Sequence, residues 1–185
     1  MNKQRHAYWY FQNLFSPKEI KQINHRVRRN TLEKIKDDPA VGITKTASVK
    51  IFRLGDVPLL KRFVQASMDS NQENFGFNIY TPQDSLCLNY NVYSADRHGE
   101  YDWHFDSSLA NPASDIKLTC LLNLSERPFE GGQFWLALSS PKEIIELSKP
   151  GSALIFPAFV MHKVLPVTKG ERITTALWLS GPKFQ

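Results

Sequence analysis

The sequence has 185 residues, of which 42% are hydrophobic and 22% are charged, and its formal net charge is +5. These values are close to those of an average globular domain and exclude a disordered chain or a fibrous repeat. The length predicts a single domain over residues 1–185, and no apolar run approaches the ~20 residues that a membrane-spanning helix needs. The N-terminus carries no secretion signal, so we expect a soluble, cytoplasmic protein with no membrane contact.

The first predicted helix begins near residue 17. Ser16-Pro17-Lys18-Glu19 has the pattern of a capping box with proline at the first helical position. Ile20, Ile23 and Val27 follow at the spacing of one helical face. We therefore predict an amphipathic helix that buries this apolar stripe.

A basic run overlaps this helix. Residues 18–36 contain seven lysine or arginine residues against two glutamates. Such a run is usually the solvated face of an amphipathic helix, and it is also the pattern of a surface that contacts nucleic acid or an acidic partner. We favour the solvated face, and we regard a nucleic-acid partner as the weaker interpretation. The basic residues are Lys18, Lys21, Arg26, Arg28, Arg29, Lys34 and Lys36.

Two further elements complete the N-terminal part, up to about residue 80. Residues 47–54, ASVKIFRL, have the pattern of a strand. A second helix is expected after Asp56. Its buried face would carry Leu60, Phe63, Val64 and Met68.

Beyond residue 84 the pattern changes to short β-like runs separated by turn residues such as Gly131-Gly132 and Lys169-Gly170. Short strands at nearly regular spacing are typical of a sandwich or jelly roll. We predict a mainly β fold, a double-stranded β-helix (jelly roll) over about residues 84–182, with the N-terminal α-helices bracing one outer face. The predicted strands cover residues 85–93, 100–106, 115–124, 133–138, 144–147, 152–156, 161–167 and 172–180.

The two cysteines, Cys87 and Cys120, lie within apolar runs and form no C-x-x-C pair. Cysteine behaves as a small hydrophobic residue, so we expect two buried free thiols and no disulfide framework.

One set of residues carries a recognisable chemistry: His104-Phe105-Asp106 and, much later, His162. Residues two apart on a strand share a face, so His104 and Asp106 should project together. Two imidazoles and one carboxylate form the facial triad of non-haem Fe(II) oxygenases. An H-x-D pattern alone is a weak signal, and structural histidines or a non-catalytic Zn(II) site fit the same residue types. His6, His25 and His98 have no carboxylate at such a spacing and are interpreted as surface histidines.

Arg172 follows His162 across a turn predicted at residues 168–170. A hairpin centred on that turn pairs residue 167 with 172 and residue 162 with 177. An inward-facing guanidinium in a β-barrel needs an anion, which it can hold through a bidentate fork. We expect this anion to be the distal carboxylate of a dicarboxylic cosubstrate, the alternative being an ion pair at the barrel mouth. The face that Arg172 shares also carries Thr174, Ala176 and Trp178.

Three segments together resemble the prolyl 4-hydroxylase-like Fe(II)/2-oxoglutarate dioxygenases. They are GEYDWHFDSS (99–108), FEGGQF (129–134) and PGSALIFPAFVMHKVLPVTKGERITTALW (150–178). The sequence is most similar to the bacterial and phage members called PKHD-type hydroxylases. The resemblance covers roughly residues 84–182, whereas the first 80 residues match only loosely.

The resemblance implies a set of roles. His104, Asp106 and His162 would be the iron ligands, and Arg172 would anchor 2-oxoglutarate. Tyr93, Asn123 and Thr174 would contribute to cosubstrate binding, and Leu121 would line the same pocket. Because Asp106 is present rather than alanine or glycine, the resemblance favours hydroxylation over halogenation. The implied cosubstrates are 2-oxoglutarate and O2, and the resemblance leaves a requirement for ascorbate open.

The substrate is the least defined part of this hypothesis. Residues 94–99 and 107–114 flank the H-x-D motif, and we expect these polar segments to form the mouth of the site. A mouth rich in small polar residues suits a peptide, so we favour a peptidyl proline as substrate. A free amino acid or other small molecule is the alternative within the enzyme class. A non-catalytic metal-binding jelly roll is the alternative outside it, and it leaves Arg172 without a role.

Overall fold

The structure is a computed structural model that describes residues 6–36, 43–107 and 113–184. Within these ranges the chain forms two α-helices, α1 (Pro17–Arg29) and α2 (Lys61–Ser70), and is otherwise mostly β. None of the described helices is long and apolar enough to cross a membrane. The strands are β1 (Trp9–Phe11), β2 (Glu33–Lys36), β3 (Ser48–Arg53), β4 (Cys87–Ser94), β5 (Tyr101–His104), β6 (Asp115–Asn123), β7 (Glu130–Gly131), β8 (Phe134–Ala137), β9 (Pro141–Glu143), β10 (Ala153–Pro157), β11 (His162–Val164), β12 (Val167–Lys169) and β13 (Glu171–Gly181).

Two antiparallel sheets face each other. Among the described residues the larger sheet has the order β1-β10-β6-β13-β4-β3-β2, the smaller has the order β5-β11-β8-β9, and β12 pairs with β7 outside both. Leu121 and Phe156 of the larger sheet pack with Phe134 and Leu136 of the smaller in one apolar cluster. This arrangement confirms the predicted jelly roll.

Both α-helices pack on the outer face of the larger sheet. Ile20 and Ile23 of α1 and Phe63 of α2 belong to one buried cluster with Leu118 and Leu122 of β6. The capping box also forms as predicted, since Ser16 accepts from the backbone N–H of Glu19 and the Glu19 carboxylate accepts from the backbone N–H of Ser16. The predicted bracing role of the N-terminal helices is thereby confirmed.

The second predicted helix starts later than expected. Two short 3₁₀ turns, Leu54–Asp56 and Pro58–Leu60, precede α2. Proline lacks a backbone N–H and fits the start of such a turn, which accounts for the delay. The strand predicted over residues 47–54 is confirmed as β3.

The strand predicted at residues 144–147 is wrong. Ile145–Leu147 is a 3₁₀ turn, and the strand lies just before it as β9. Ile144 and Leu147 are both buried, whereas Ile145 is 66% exposed. A spacing of three residues between buried side chains matches the period of a 3₁₀ turn, not that of a strand.

The predicted hairpin between residues 161–167 and 172–180 is also wrong. Pro166 lies in the gap between β11 and β12, so the expected single strand is split. β11 then pairs with β5 and β8 in the smaller sheet, whereas β13 pairs with β4 and β6 in the larger sheet. His162 and Arg172 therefore belong to opposite sheets.

Two smaller expectations also need correction. Cys120 is buried as predicted, but Cys87, the first residue of β4, is exposed. The basic run over residues 18–36 is not one helical face, since α1 ends at Arg29 and the run continues into β2.

Candidate active site

Two buried histidines face each other across the pairing of β5 with β11. The register places His104 opposite His162, and their ring centroids lie 4.0 Å apart. Nδ1 of His104 lies 2.7 Å from the carbonyl oxygen of Asp102, and Nδ1 of His162 lies 3.0 Å from that of Val160. When Nδ1 donates to these carbonyls, Nε2 of each imidazole keeps its lone pair. Both lone pairs are then available to one common ligand.

Asp106 lies just beyond β5 and completes the cluster. Its backbone N–H donates to the carbonyl oxygen of Ala158 at 3.0 Å, which holds the segment against the end of β10. Its carboxylate oxygens lie 3.8 Å from Nε2 of His104 and 3.5 Å from Nε2 of His162. The Thr119 hydroxyl donates to Oδ2 at 2.7 Å. The carboxylate is thus oriented by β6 rather than by the strand that precedes it.

Burial keeps both imidazoles neutral. It lowers the pKa of His104 to about 4, with a smaller contribution from His162 in the same direction and an opposing one from Asp106. Burial also lowers the pKa of His162, against the attraction of Asp106. The neutral imidazole is the form that binds a metal ion.

The donor set of this cluster fits a divalent first-row metal. Ligand atoms of His104, Asp106 and His162 all lie within 4.8 Å of one another, and in the described part of the chain no other group of three such side chains converges in this way. Two imidazoles and one carboxylate suit non-haem Fe(II) and leave coordination positions open. The hydrogen bonds of Thr119 and the two backbone carbonyls orient the ligands, as metal sites require.

Arg172 is a buried cation on the facing sheet. It is 3% exposed, and its guanidinium carbon lies 5.5 Å from the ring centroid of Tyr93, its cross-strand partner on β4. No carboxylate of the described residues forms an ion pair with it, and burial lowers the pKa of the guanidinium. Burial raises the pKa of the Tyr93 phenol to about 12, so this group is a neutral hydrogen-bond donor. An anionic ligand would offset the cost of burying Arg172.

Gly132 makes room for the Arg172 side chain. A Cβ at this position would lie 2.9 Å from Cδ of Arg172 and 2.9 Å from a methyl carbon of Val167. Gly132 also has φ +65°, a conformation that favours glycine. Gly132, the second glycine of the FEGGQF segment, therefore leaves space for the Arg172 side chain.

A cavity between the two sheets joins the histidine cluster to Arg172. On β13 the inward residues run from Arg172 to Trp178, and Trp178 pairs with Thr119, the residue that holds Asp106. The cluster of His104, Asp106 and His162 and the guanidinium of Arg172 thus lie towards opposite ends of one strand ladder. The cavity is lined by Lys45, Asn89, Asn91, Tyr93, Tyr101, His104, Asp106, Leu121, Phe134, His162, Val164, Arg172, Thr174, Ala176 and Trp178.

Most of the residues that the sequence suggested lie in this cavity, including Tyr93, Thr174 and Leu121. Asn123 does not. Its Nδ2 donates to the carbonyl oxygens of Leu147 at 2.9 Å and Ser148 at 3.0 Å, and its Oδ1 accepts from the backbone N–H of Ser125 at 2.9 Å. The expected contact of Asn123 with a cosubstrate is therefore replaced by a structural role, because its carboxamide is used by the backbone.

Several lining residues were missed from the sequence. Asn89, Asn91 and Tyr93 follow one another at a spacing of two residues on β4 and therefore share one face of the strand. The inward position predicted for Tyr93 could thus have identified both asparagines. Tyr101 stacks on His104 with ring centroids 3.4 Å apart, and the ammonium of Lys45 lies 4.7 Å from the centroid of the Tyr101 ring. Nothing in the local sequence pattern indicates these contacts, since they depend on how β5 meets the segment before β3.

The structure describes the first expected mouth segment completely and the second only in part. Residues 94–99 form a short loop that is tied to the β12–β13 region: the Ala95 N–H donates to the Gly170 carbonyl, and the Val167 N–H donates to the Gly99 carbonyl. This loop lies at the Arg172 end of the ladder, since Ser94 pairs with Glu171. Of the second segment, residues 108–112 lie outside the described part of the chain.

Comparison with known proteins points to one family. The model of the 2OG-Fe(II) oxygenase superfamily matches residues 88–180, just over half of the chain. A PKHD-type hydroxylase from Janthinobacterium sp. (strain Marseille) is 34% identical over 96 residues, which are 49% of this chain and 41% of that protein. The chain thus spans less than half the length of this relative.

Two solved structures share the fold. One is a viral collagen prolyl hydroxylase from Paramecium Bursaria Chlorella virus-1 in its 2OG complex, with a TM-score of 0.72 at 17% sequence identity. The superposition covers 95% of this chain and 97% of that protein. The other is a prolyl hydroxylase from Trichoplax adhaerens in complex with a hypoxia inducible factor peptide fragment, with a TM-score of 0.66 at 16% sequence identity. That superposition covers 94% of this chain and 83% of the Trichoplax protein. At these identities the likeness concerns the fold.

Proposed function

Because the chain belongs to the 2OG-Fe(II) oxygenase superfamily, we propose that it is a Fe(II)- and 2-oxoglutarate-dependent dioxygenase that hydroxylates an unactivated C–H bond, with a peptidyl proline as its substrate. One observation carries this proposal. A convergent His104–Asp106–His162 cluster shares a cavity with Arg172, a buried cation that has no counter-charge among the described residues. A purely structural metal site gives no role to such an arginine.

The three side chains of the cluster would hold Fe(II). The chemistry that bound Fe(II) and 2-oxoglutarate supply is activation of O2, coupled to conversion of 2-oxoglutarate to succinate and CO2, with one oxygen atom entering the substrate. The protein orients the ligands through Thr119 and the carbonyls of Asp102 and Val160. Asp106 would supply the carboxylate ligand of the facial triad, and its presence there fits hydroxylation rather than halogenation.

Arg172 and Tyr93 would receive the distal carboxylate of 2-oxoglutarate. A guanidinium can bind a carboxylate through two parallel hydrogen bonds, and a neutral phenol adds a donor beside it. Leu121, Phe134 and Val164 supply apolar walls to the cavity. Such walls limit water at the site and strengthen the interaction between the guanidinium and the carboxylate.

The choice of a peptidyl proline is supported by the similar proteins. Both solved structures described above are named prolyl hydroxylases, and the one from Trichoplax adhaerens holds a peptide. The competing substrate class is a free amino acid or another small molecule.

An anaerobic titration tests the cofactor part of the proposal. Metal-free protein is titrated with Fe(II) and then with 2-oxoglutarate, and the visible charge-transfer band of the chelate is followed. We expect the band in the wild type and in His25→Ala, an exposed position on α1, and its loss in His162→Ala. Tight Zn(II) binding without a 2-oxoglutarate chelate would instead support a non-catalytic metal-binding module.

A turnover assay then tests the substrate part. Proline-containing peptides, free proline and other free amino acids are each incubated with Fe(II), 2-oxoglutarate and O2, with and without ascorbate. We expect succinate formation coupled to gain of one oxygen atom by the peptides. Coupled oxidation of the free amino acids alone would overturn the peptidyl assignment and leave the dioxygenase assignment intact.

A further inference from the structure

Asn91 is an unusual residue within the cavity. It is 7% exposed, it lines the cavity, and its carboxamide has no hydrogen-bond partner among the described residues. Neither atom of this carboxamide is fully enclosed by protein, so both are accessible from the cavity and available to a ligand. The carboxamide of Asn123 shows the usual alternative, because all of its hydrogen-bonding groups are used by the backbone.

The strand register places Asn91 next to the cationic end of the cavity. On β4 and β13, Tyr93 pairs with Arg172 and Asn91 pairs with Thr174. Directly opposed side chains in an antiparallel pair have Cβ atoms about 5 Å apart. Four inward groups therefore form one block: a guanidinium, a phenol, a hydroxyl and a carboxamide.

Thr174 repeats the pattern seen at Asn91. It is 2% exposed and lines the cavity, and no described residue accepts from or donates to its hydroxyl. Each of the four groups in the block can donate a hydrogen bond. A carboxylate has two oxygens that together accept about four hydrogen bonds, so one carboxylate can use donors from the whole block.

We propose that Asn91 is a positioning residue for the distal carboxylate of 2-oxoglutarate, with its Nδ2 donating to a carboxylate oxygen beside the Arg172 guanidinium. This inference rests on the proposed function. Asn89 serves a different region, since it pairs with Ala176, one step further along the ladder towards Trp178 and the metal-binding cluster. The two asparagines thus provide a matched pair on the same face of one strand.

The test compares two ligands that differ only at the distal end. Dissociation constants for 2-oxoglutarate and for 2-oxopentanoate, which lacks the distal carboxylate, are measured anaerobically on the Fe(II)-loaded protein. We expect Asn91→Ala to weaken the binding of 2-oxoglutarate about tenfold, which is the value of one hydrogen bond to a charged group. The dissociation constant for 2-oxopentanoate should not change. Asn91→Asp keeps the shape of the side chain but adds a negative charge, which repels the distal carboxylate, so it should weaken the binding of 2-oxoglutarate further. Asn89→Ala should leave the affinity for 2-oxoglutarate within about twofold of the wild type.

Several outcomes would overturn the inference. Equal weakening of both ligands in Asn91→Ala would show that Asn91 acts through the fold or the metal end. Equal loss of 2-oxoglutarate affinity in Asn89→Ala would show a general effect of cavity polarity. Wild-type affinity in both Asn91 variants would overturn the inference and leave the proposed function intact, whereas a wild-type protein that binds no 2-oxoglutarate would overturn both.

Discussion

His104 and His162 are direct cross-strand partners, so one antiparallel register places both imidazoles at the same point of the smaller sheet. The third member of the cluster is held differently. Asp106 lies outside the strand and receives its orientation from Thr119 on the larger sheet and from the backbone of Ala158. The cluster is therefore complete only when the two sheets are packed together, and this makes Thr119 a sensitive position.

Thr119→Val should weaken metal binding. The substitution removes the 2.7 Å hydrogen bond to the Asp106 carboxylate with little change in volume. Loss of such an outer partner typically reduces metal affinity by about 10- to 100-fold. An anaerobic Fe(II) titration against a competing chelator measures the effect. Thr175→Val is the control, because this buried hydroxyl bonds to the Asn89 carbonyl away from the cluster. Unchanged Fe(II) affinity in Thr119→Val would contradict the orienting role.

Arg172→Met should stabilise the ligand-free protein and abolish its response to 2-oxoglutarate. The guanidinium is buried without a counter-charge among the described residues, and methionine fills a similar volume without that cost. We expect a gain of about 1–3 kcal/mol in the free energy of unfolding. Denaturant unfolding with and without 2-oxoglutarate measures both effects. The exposed Arg127→Met serves as the control, and a destabilised Arg172→Met protein would show that the cation has a structural partner.

The sequence was sufficient for features that depend on local chemistry. The capping box at Ser16 and Glu19, the strand β3 and the inward face of β13 all follow from side-chain patterns over a few residues. The grouping of His104 with Asp106 was predicted from strand alternation over residues 100–106, but β5 ends at His104. Asp106 instead reaches the cluster through its hydrogen bonds to Thr119 and to the backbone of Ala158.

Features that depend on long-range pairing could not be predicted. Pro166 splits the expected strand, and only the three-dimensional sheet order shows that His162 and Arg172 lie on opposite sheets. Asn123 points to the same side as Leu121, yet the turn at Ile145–Leu147 brings backbone carbonyls that capture its carboxamide. Spacing along a strand identifies a face but does not identify what packs against it.

Gly132→Ala should lower the affinity for 2-oxoglutarate. The added Cβ would lie 2.9 Å from the Arg172 side chain, so the guanidinium must shift. Gly76→Ala is a matched control: Gly76 also has a positive φ, but nothing lies within 4 Å of an added Cβ. Both variants should lose about 1 kcal/mol of stability because of the backbone strain. Only Gly132→Ala should lower the affinity for 2-oxoglutarate. Calorimetric titration with 2-oxoglutarate measures the difference, and equal affinities in the two variants would exclude the steric role.

The two cysteines should differ sharply in reactivity. Cys87 is exposed, whereas Cys120 is buried and burial raises the pKa of its thiol to about 12. Only the thiolate reacts with alkylating agents, so the native protein should be labelled at Cys87 alone. Mass spectrometry after iodoacetamide treatment, with and without denaturant, measures this. Rapid native labelling of Cys120 would show that the cluster between the helices and the larger sheet opens readily.

Asn24→Ala should reveal how strongly α1 supports the jelly roll. Asn24 is fully buried, and its Nδ2 donates to the carbonyl oxygen of Leu124 at 2.9 Å and to the Glu126 carboxylate at 2.8 Å. These bonds join α1 to the segment after β6. Their removal should cost about 1–3 kcal/mol, because the Leu124 carbonyl loses a buried partner. The neighbouring His25→Ala, which is exposed, should change stability by less than about 0.5 kcal/mol.

Urea unfolding followed by circular dichroism measures these differences. If residues 1–185 form the single domain that the sequence predicts, the Asn24→Ala protein should unfold in one transition with an unchanged dependence on urea, only at a lower midpoint. Two separate transitions would show that the helices detach before the sheets unfold. In that case α1 would be an accessory element, and the Asn24 hydrogen bonds would stabilise its docking without stabilising the sheets that carry His104, Asp106 and His162.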